Sequence, residues 1–228
     1  MRLLSLREAI ATYVKDGASV ALEGFTHLIP FAAGHEIIRQ QRRGLHLIRM
    51  TPDLVYDQLI GMGCAARLTF SWGGNPGVGS LHRLRDAVER GWPQPLALVP
   101  AVNPDVCILH AQQIDARGNV LIRGIVGAAK EAALAARQLL VTVEEQVDTL
   151  DAEMNALILP SWVVTAASVV PGGAYPSYAQ GYYPRDNAFY LAWDEIARDR
   201  GTFGTWMERH VLGVTDHASL LRKLGVAA

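Results

Sequence analysis

Two hydrophobic periods alternate along this chain of 228 residues. In SLREAIATYVK, residues 5–15, Leu6, Ile10 and Val14 recur at helical spacing with Ala9 and Tyr13 beside them. Ser5 and Glu8 stand at capping-box spacing, so a helix is predicted to start there. Lys15-Asp16-Gly17 breaks it, and ASVALEG reads as a short buried strand ending at Gly24. PFAAGHEIIRQQRR, 30–43, opens on proline and closes on cations before Gly44, both marks of helix ends. The next predicted elements are strand LHLIRM (45–50), helix PDLVYDQLIGMG, strand RLTFSW (67–72) and helix LHRLRDAVERG (81–91).

Strands VCILHA (106–111), QLLVTV (138–143) and WVVTAASVV (162–170) follow, apolar at successive positions as in strands covered on both faces. NVLIRG (119–124) is placed to pair with VCILHA through a turn at Asp115-Ala116-Arg117-Gly118. GAAKEAALAARQ reads as a helix, and 187–199, 202–212 and 216–224 as three more. Strand and helix in alternation predict an α/β fold with an open, mostly parallel sheet, helices on both faces and a C-terminal helical segment. No internal repeat divides it, so residues 1–228 read as one domain.

Composition changes this picture little. Half the residues are hydrophobic and 19% are charged, which suits a large core and argues against disorder. A formal net charge of −1 gives no basic excess for nucleic acid or anionic membrane. Cys64 and Cys107 stand in apolar stretches with no metal or CxxC spacing, and read as buried free thiols. The charged N-terminus has no signal-like apolar core, and no run approaches the roughly 18 apolar residues of a membrane helix. A soluble cytoplasmic protein is the expectation.

Chemistry has few candidates. In DGASVALEGFTHLIP, 16–30, a strand enters a turn at Gly24 and a helix follows; this sheet edge is where open α/β folds bind ligands, and backbone N–H groups there can hold an anion or an oxyanion. Glu23, beside that turn, is expected either to be perturbed or to face an interface. His27 and His35 flank the turn and read as satisfied polar residues or site residues. SWGGNPGVG, 71–79, is a second glycine-rich loop between strand and helix, neither Walker A nor GxGxxG. Glu144-Glu145 closes a strand; strand neighbours point to opposite faces, so the pair forms no dyad, and a helix start is the plainer reading. No Ser/His/Asp set can be picked out. Within the stretch 171–200, four tyrosines crowd into nine residues: Tyr175, Tyr178, Tyr182 and Tyr183.

Five stretches together resemble the α (A) subunit of class I coenzyme A transferases of the glutaconate CoA-transferase type. They are DGASVALEGFTHLIPFAAGHEIIRQ, FSWGGNPGVGS, HAQQIDARGNV, LVTVEEQVD and PGGAYPSYAQGYYPRDNAFYLAWDEIARDR. The resemblance implies a CoA-transferase/NagB-like fold, a partner β (B) subunit, and an α2β2 assembly. It implies that a glutamate of the β subunit becomes the CoA thioester, so no nucleophile is expected in this chain. CoA thioester is then substrate, with no permanently bound cofactor and no metal. It assigns the substrate and oxyanion pocket to Gly24, Phe25, Ser71, Gly73, Gly74 and Asn75, with Glu23 and His27 as accessory residues. The tyrosines, Tyr175, Tyr178, Tyr182 and Tyr183, suit an interface because they give wide contact at low entropic cost.

Two departures from the family pattern stand out. Its GGF reads Glu23-Gly24-Phe25 here, without the first glycine. The family also has several dozen more residues between the helix ending near Trp92 and the strand near Val106, so this chain is shortened near 93–100. Three functions remain at this point: CoA transfer to a small or medium organic acid, hydrolytic ring cleavage of a cyclic acyl-CoA from steroid breakdown, and a non-catalytic binding module.

Overall fold

A computed structural model describes residues 1–75, 79–91, 102–151 and 155–226. Seven strands form one parallel sheet: β1 (Arg2–Leu3), β2 (Ser19–Glu23), β3 (Leu45–Ile48), β4 (Ala65–Thr69), β5 (Val106–Asp115), β7 (Gln138–Val147) and β9 (Ala166–Val169), in the order β1-β9-β7-β5-β2-β3-β4. β6 (Val120–Ile122) turns back on the end of β5 and pairs with β8 (Leu157–Leu159), both antiparallel. Asp115 builds the predicted turn: its carboxylate accepts the N–H groups of Arg117 and Asn119.

Side-chain alternation assigns the two faces. Val20, Leu22, Val106, Ile108 and Leu140 point into one core with α1 (Leu6–Tyr13), α2 (Phe31–Arg39), α3 (Leu54–Gly61), α4 (His82–Glu89), α6 (Asn187–Arg198) and α7 (Arg200–Met207). Ala21, Cys107, Leu109, Leu139 and Val141 point into a second core under α5 (Ala129–Ala135), β6 and β8. A π-helical turn (Glu208–Leu212) continues α7, and α8 (His217–Leu224) ends the fold. The capping box forms as expected, with the Glu8 N–H donating to Ser5 Oγ and the Ser5 N–H to Glu8 Oε2. Both cysteines are buried free thiols.

Several expectations shift. The helix predicted over 30–43 ends at Arg39, and Gln41 takes a left-handed conformation (φ 55°). Strand 67–72 runs instead from Ala65 to Thr69, and 162–170 is strand only over Ala166–Val169. No helix starts at Glu144-Glu145: β7 runs through both to Val147 because β5 pairs with it along that whole length. The shortening near 93–100 lies outside the described residues.

Candidate active site

The parallel strands end together at one edge, and the first glycine turn lies in its middle, after β2. Gly24 has φ 154°, and a Cβ there would stand 2.7 Å from the carbonyl oxygens of both His27 and Leu28. The chain folds back too tightly for any side chain. Thr26 and Leu28 also have positive φ, 58° and 52°. Phe25, beside them, is partly exposed.

Glu23 is buried beneath this turn. Burial pushes its carboxyl up, while Arg49 and the N–H groups of Gly24 and Met50 pull it back. Arg49 donates to the Gly24 carbonyl and to Asp53, in a buried ion pair with an N···O distance of 3.2 Å. Asp53 in turn caps α3, accepting the Val55 N–H.

The second glycine loop reaches the same edge through the β3–α3 connection. The N–H groups of Ser71 and Trp72 donate to the Met50 carbonyl, as does Ser71 Oγ, and the Gly74 N–H donates to Pro52. Asn75 is turned inward and donates to the Tyr190 carbonyl at 3.0 Å. Gly73 faces Leu81 and Leu84, and Gly74 lies against the Trp72 ring. Arg49, Met50 and Pro52 thus link the two loops, and residues 76–78 lie outside the described set.

The tyrosine loop is far from Gly24 in sequence but lies directly on its turn. The Leu28 N–H donates to the Tyr178 carbonyl, Ser177 Oγ to the Thr26 carbonyl, and the Gln180 N–H to His27 Nε2. The His27 and Tyr178 rings lie 4.4 Å apart. Burial brings the His27 imidazole down to about 4, so it is neutral at pH 7. A cavity of about 10 Å³ beside Glu23, Gly24, His27 and His110 has room for one water at most.

Sequence reasoning missed one cluster here. Glu144 Oε1 accepts from His110 Nε2 at 2.6 Å and from the Tyr183 hydroxyl at 2.5 Å, and Oε2 accepts the Gly172 N–H at 2.7 Å. His217 Nε2 reaches the Gly172 carbonyl at 2.8 Å. Burial alone would raise the Glu144 carboxyl, but these hydrogen bonds outweigh it and hold the carboxyl below its ordinary value. Glu145, on the opposite face, accepts from Tyr182 and Gln113. The signal was the common polar ending of VCILHA and LVTVEE, which the parallel register of β5 and β7 brings side by side. Tyr175 is buried and donates to Asp186, while the Tyr182 ring stays 37% exposed. Between this loop and α8 a cleft of about 340 Å³ is lined by Gly172, Tyr175, Tyr183, Arg185, Asp186 and Leu221, roomy enough for a small acyl group.

Aligned over 275 positions, the chain is 52% identical to the α (A) subunit of the 3-oxoadipate CoA-transferase of Pseudomonas knackmussii, covering 97% of this chain and 98% of that protein. The chain belongs to the class I CoA-transferase α-subunit family. The corresponding α (A) subunit of glutaconate CoA-transferase from Acidaminococcus fermentans is 25% identical, over 98% of this chain and 92% of that one. The crystal structure of that glutaconate enzyme superposes with a TM-score of 0.86, at 25% identity, over 99% of this chain and 93% of that one. The decarboxylase AibA/AibB superposes with a TM-score of 0.76 at 30% identity, over 91% of this chain and 98% of that one. No family model matches the chain. Membership of the CoA-transferase family makes this chain part of an enzyme of the class I transferase type, with the parallel α/β architecture the sequence predicted. Among the described residues no helix is long and apolar enough to cross a membrane.

Proposed function

We propose that this chain is the α subunit of a cytoplasmic α2β2 CoA-transferase, and that its acceptor is a small oxo-dicarboxylic acid of the 3-oxoadipate type. The end-to-end 52% identity to an α subunit of that specificity carries the reading. The ring-cleaving hydrolase and the binding module are not favoured, since the curated relatives at 52% and 25% identity are both named as transferase subunits.

In the proposed cycle a glutamate carboxylate of the β subunit attacks the donor acyl-CoA, forming a mixed anhydride and releasing CoA thiolate. The thiolate attacks the glutamyl carbonyl, giving glutamyl-CoA and the free donor acid. The acceptor carboxylate displaces CoA thiolate from that thioester, and the thiolate then takes the acceptor's acyl group and frees the glutamate. Each addition puts negative charge on a carbonyl oxygen, which backbone N–H groups stabilise. The α chain's part is the pocket: Gly24 and Phe25 at the oxyanion, Ser71, Gly73, Gly74 and Asn75 as the loop beside it, Glu23 and His27 as accessory residues. CoA thioester is a substrate, and no bound cofactor takes part. Tyr175, Tyr178, Tyr182 and Tyr183 border the β subunit, Tyr182 most directly. About fifty of the 275 aligned positions have no residue in this chain, and we place that shortfall near 93–100.

The test is co-expression with the β subunit, followed by acyl-CoA and borohydride. Transfer of CoA to 3-oxoadipate, with a β-subunit glutamate reduced to an alcohol, is expected. A stable complex that transfers CoA to no dicarboxylic acid would overturn the reading.

A further inference from the structure

Arg49 lies in LHLIRM as a cation at the end of a strand, where an exposed side chain is the ordinary outcome. Its N–H extends the sheet ladder to the Thr69 carbonyl. Its side chain instead turns inward and is only 2% exposed. The guanidinium lies over the Tyr56 ring, 5.5 Å from its centroid. It donates to both oxygens of Asp53 and to the carbonyl of Gly24. Tyr56 ties the same place together, taking the Leu22 N–H at 3.0 Å and donating to the Ile48 carbonyl at 2.7 Å. One buried cation thus joins the ends of β2 and β3 to the start of α3.

The bond to Gly24 has a stereochemical consequence. The carbonyl and the N–H of a trans peptide point in opposite directions. A Gly24 carbonyl drawn inward to Arg49 directs the Phe25 N–H away from the buried ion pair, to the open side of the edge. Among the described residues the N–H groups of Phe25, Thr26 and His27 have no protein acceptor. Successive free N–H groups in a turn with positive φ make a concavity for negative charge. We propose that Arg49 is a positioning residue for CoA transfer: by holding the Gly24 carbonyl it aims the Phe25 N–H at the acyl oxygen that becomes negative. This rests on the transferase reading of the Gly24 turn. Arg49 itself touches no substrate.

The test uses the complex with the β subunit. Arg49→Met alone would strand the buried Asp53 charge and endanger folding. Arg49→Met combined with Asp53→Asn removes both charges, keeps a capping residue and keeps the volume. The double variant is expected to bind its β partner and melt as wild type does, with KM for acyl-CoA within about threefold and kcat about 100-fold lower, the loss of one oxyanion donor. A purely structural role would leave kcat within about threefold in that folded complex, and this outcome overturns the proposal.

A second readout does not depend on turnover. Gly24-Phe25 is the one Gly-Phe junction in the sequence, so carbonyl-labelled glycine with amide-labelled phenylalanine gives a single NMR correlation. That resonance is expected to move on addition of acyl-CoA in wild type and to lie elsewhere in the ligand-free double variant. Coincidence of the two ligand-free resonances would overturn the proposal even if the double variant is unstable in assays. A wild-type complex that transfers no CoA would indict the transferase reading instead, and the ligand-free comparison would still decide whether Arg49 sets this peptide.

Discussion

Glu144→Gln should destabilise this chain by about 3 kcal/mol at pH 7, and the loss should shrink in acid. The wild-type carboxylate takes three donors, two on Oε1 and one on Oε2. A glutamine offers one oxygen and one NH2 in the same space. With its oxygen toward His110 and Tyr183, its NH2 meets the Gly172 N–H, and a buried donor loses its acceptor. A hydrogen bond to a charged group contributes about 1.5–3 kcal/mol, and a stranded buried donor costs about 1–3 kcal/mol. Taking the middle of each and allowing for relaxation gives the figure above. At about 2–4 °C per kcal/mol for a chain of this length, the midpoint should fall by roughly 6–12 °C. Because the folded carboxyl is held below 4.5, its contribution is complete above that pH and is lost as pH falls through the lower folded value. His27, brought down to about 4 by burial, weakens wild type and variant alike below about pH 6.5 and cancels in the difference; His217, also brought down to about 4 by burial, feels the Glu144 charge, so its contribution cancels incompletely. Urea unfolding of both proteins at pH 7 and in acid measures this. A difference under about 0.5 kcal/mol at pH 7, or one that does not shrink in acid, would refute the reasoning.

Gly24→Ala should cost about 2–4 kcal/mol and abolish most CoA transfer, since a Cβ collides with two carbonyl oxygens at a φ of 154°; a melt near wild type would contradict the packing described. Phe25, Met50, Phe70 and Trp72 are 38%, 50%, 40% and 60% exposed around the site edge, so Trp72→Ala should leave the chain's own stability within about 0.5 kcal/mol while weakening β-subunit binding at least about tenfold, read by titration calorimetry. Burial pushes the Cys64 thiol up to about 11 and the Cys107 thiol well above its ordinary value, so a thiol reagent at pH 8 should label neither until urea unfolds the chain; rapid labelling of the folded protein would count against that burial.

What could be read from sequence was local. The Ser5–Glu8 cap and the turn at Asp115 use partners within four residues, and both form as expected. The central strands announce themselves because both of their faces are covered. Two- and three-residue strands such as β1 and β8 carry no period at all. Glu144 reads as a helix start in sequence because its partner, His110, lies 34 residues earlier and is supplied only by the pairing of β5 with β7. The contact of Ser177 with Thr26, 151 residues apart, leaves no local trace, so the tyrosine loop could not be placed over the glycine turn. Arg49 looks like a strand-end cation because nothing near it in sequence shows that Gly24 lies opposite.

The strand order also dictates a timetable for synthesis. β2, β3 and β4 can pair as soon as they leave the ribosome, but β2 lies inside the sheet, between β3 and β5, and stays open on one side until β5 is made. Arg2 waits longer still, because its partner is Ala166. A nascent chain thus carries an unpaired, apolar strand edge through much of translation, and pairings so distant fold slowly. Chaperone occupancy on the ribosome should therefore be heaviest between the emergence of β4 and that of β5, and should fall once the later strand closes the gap.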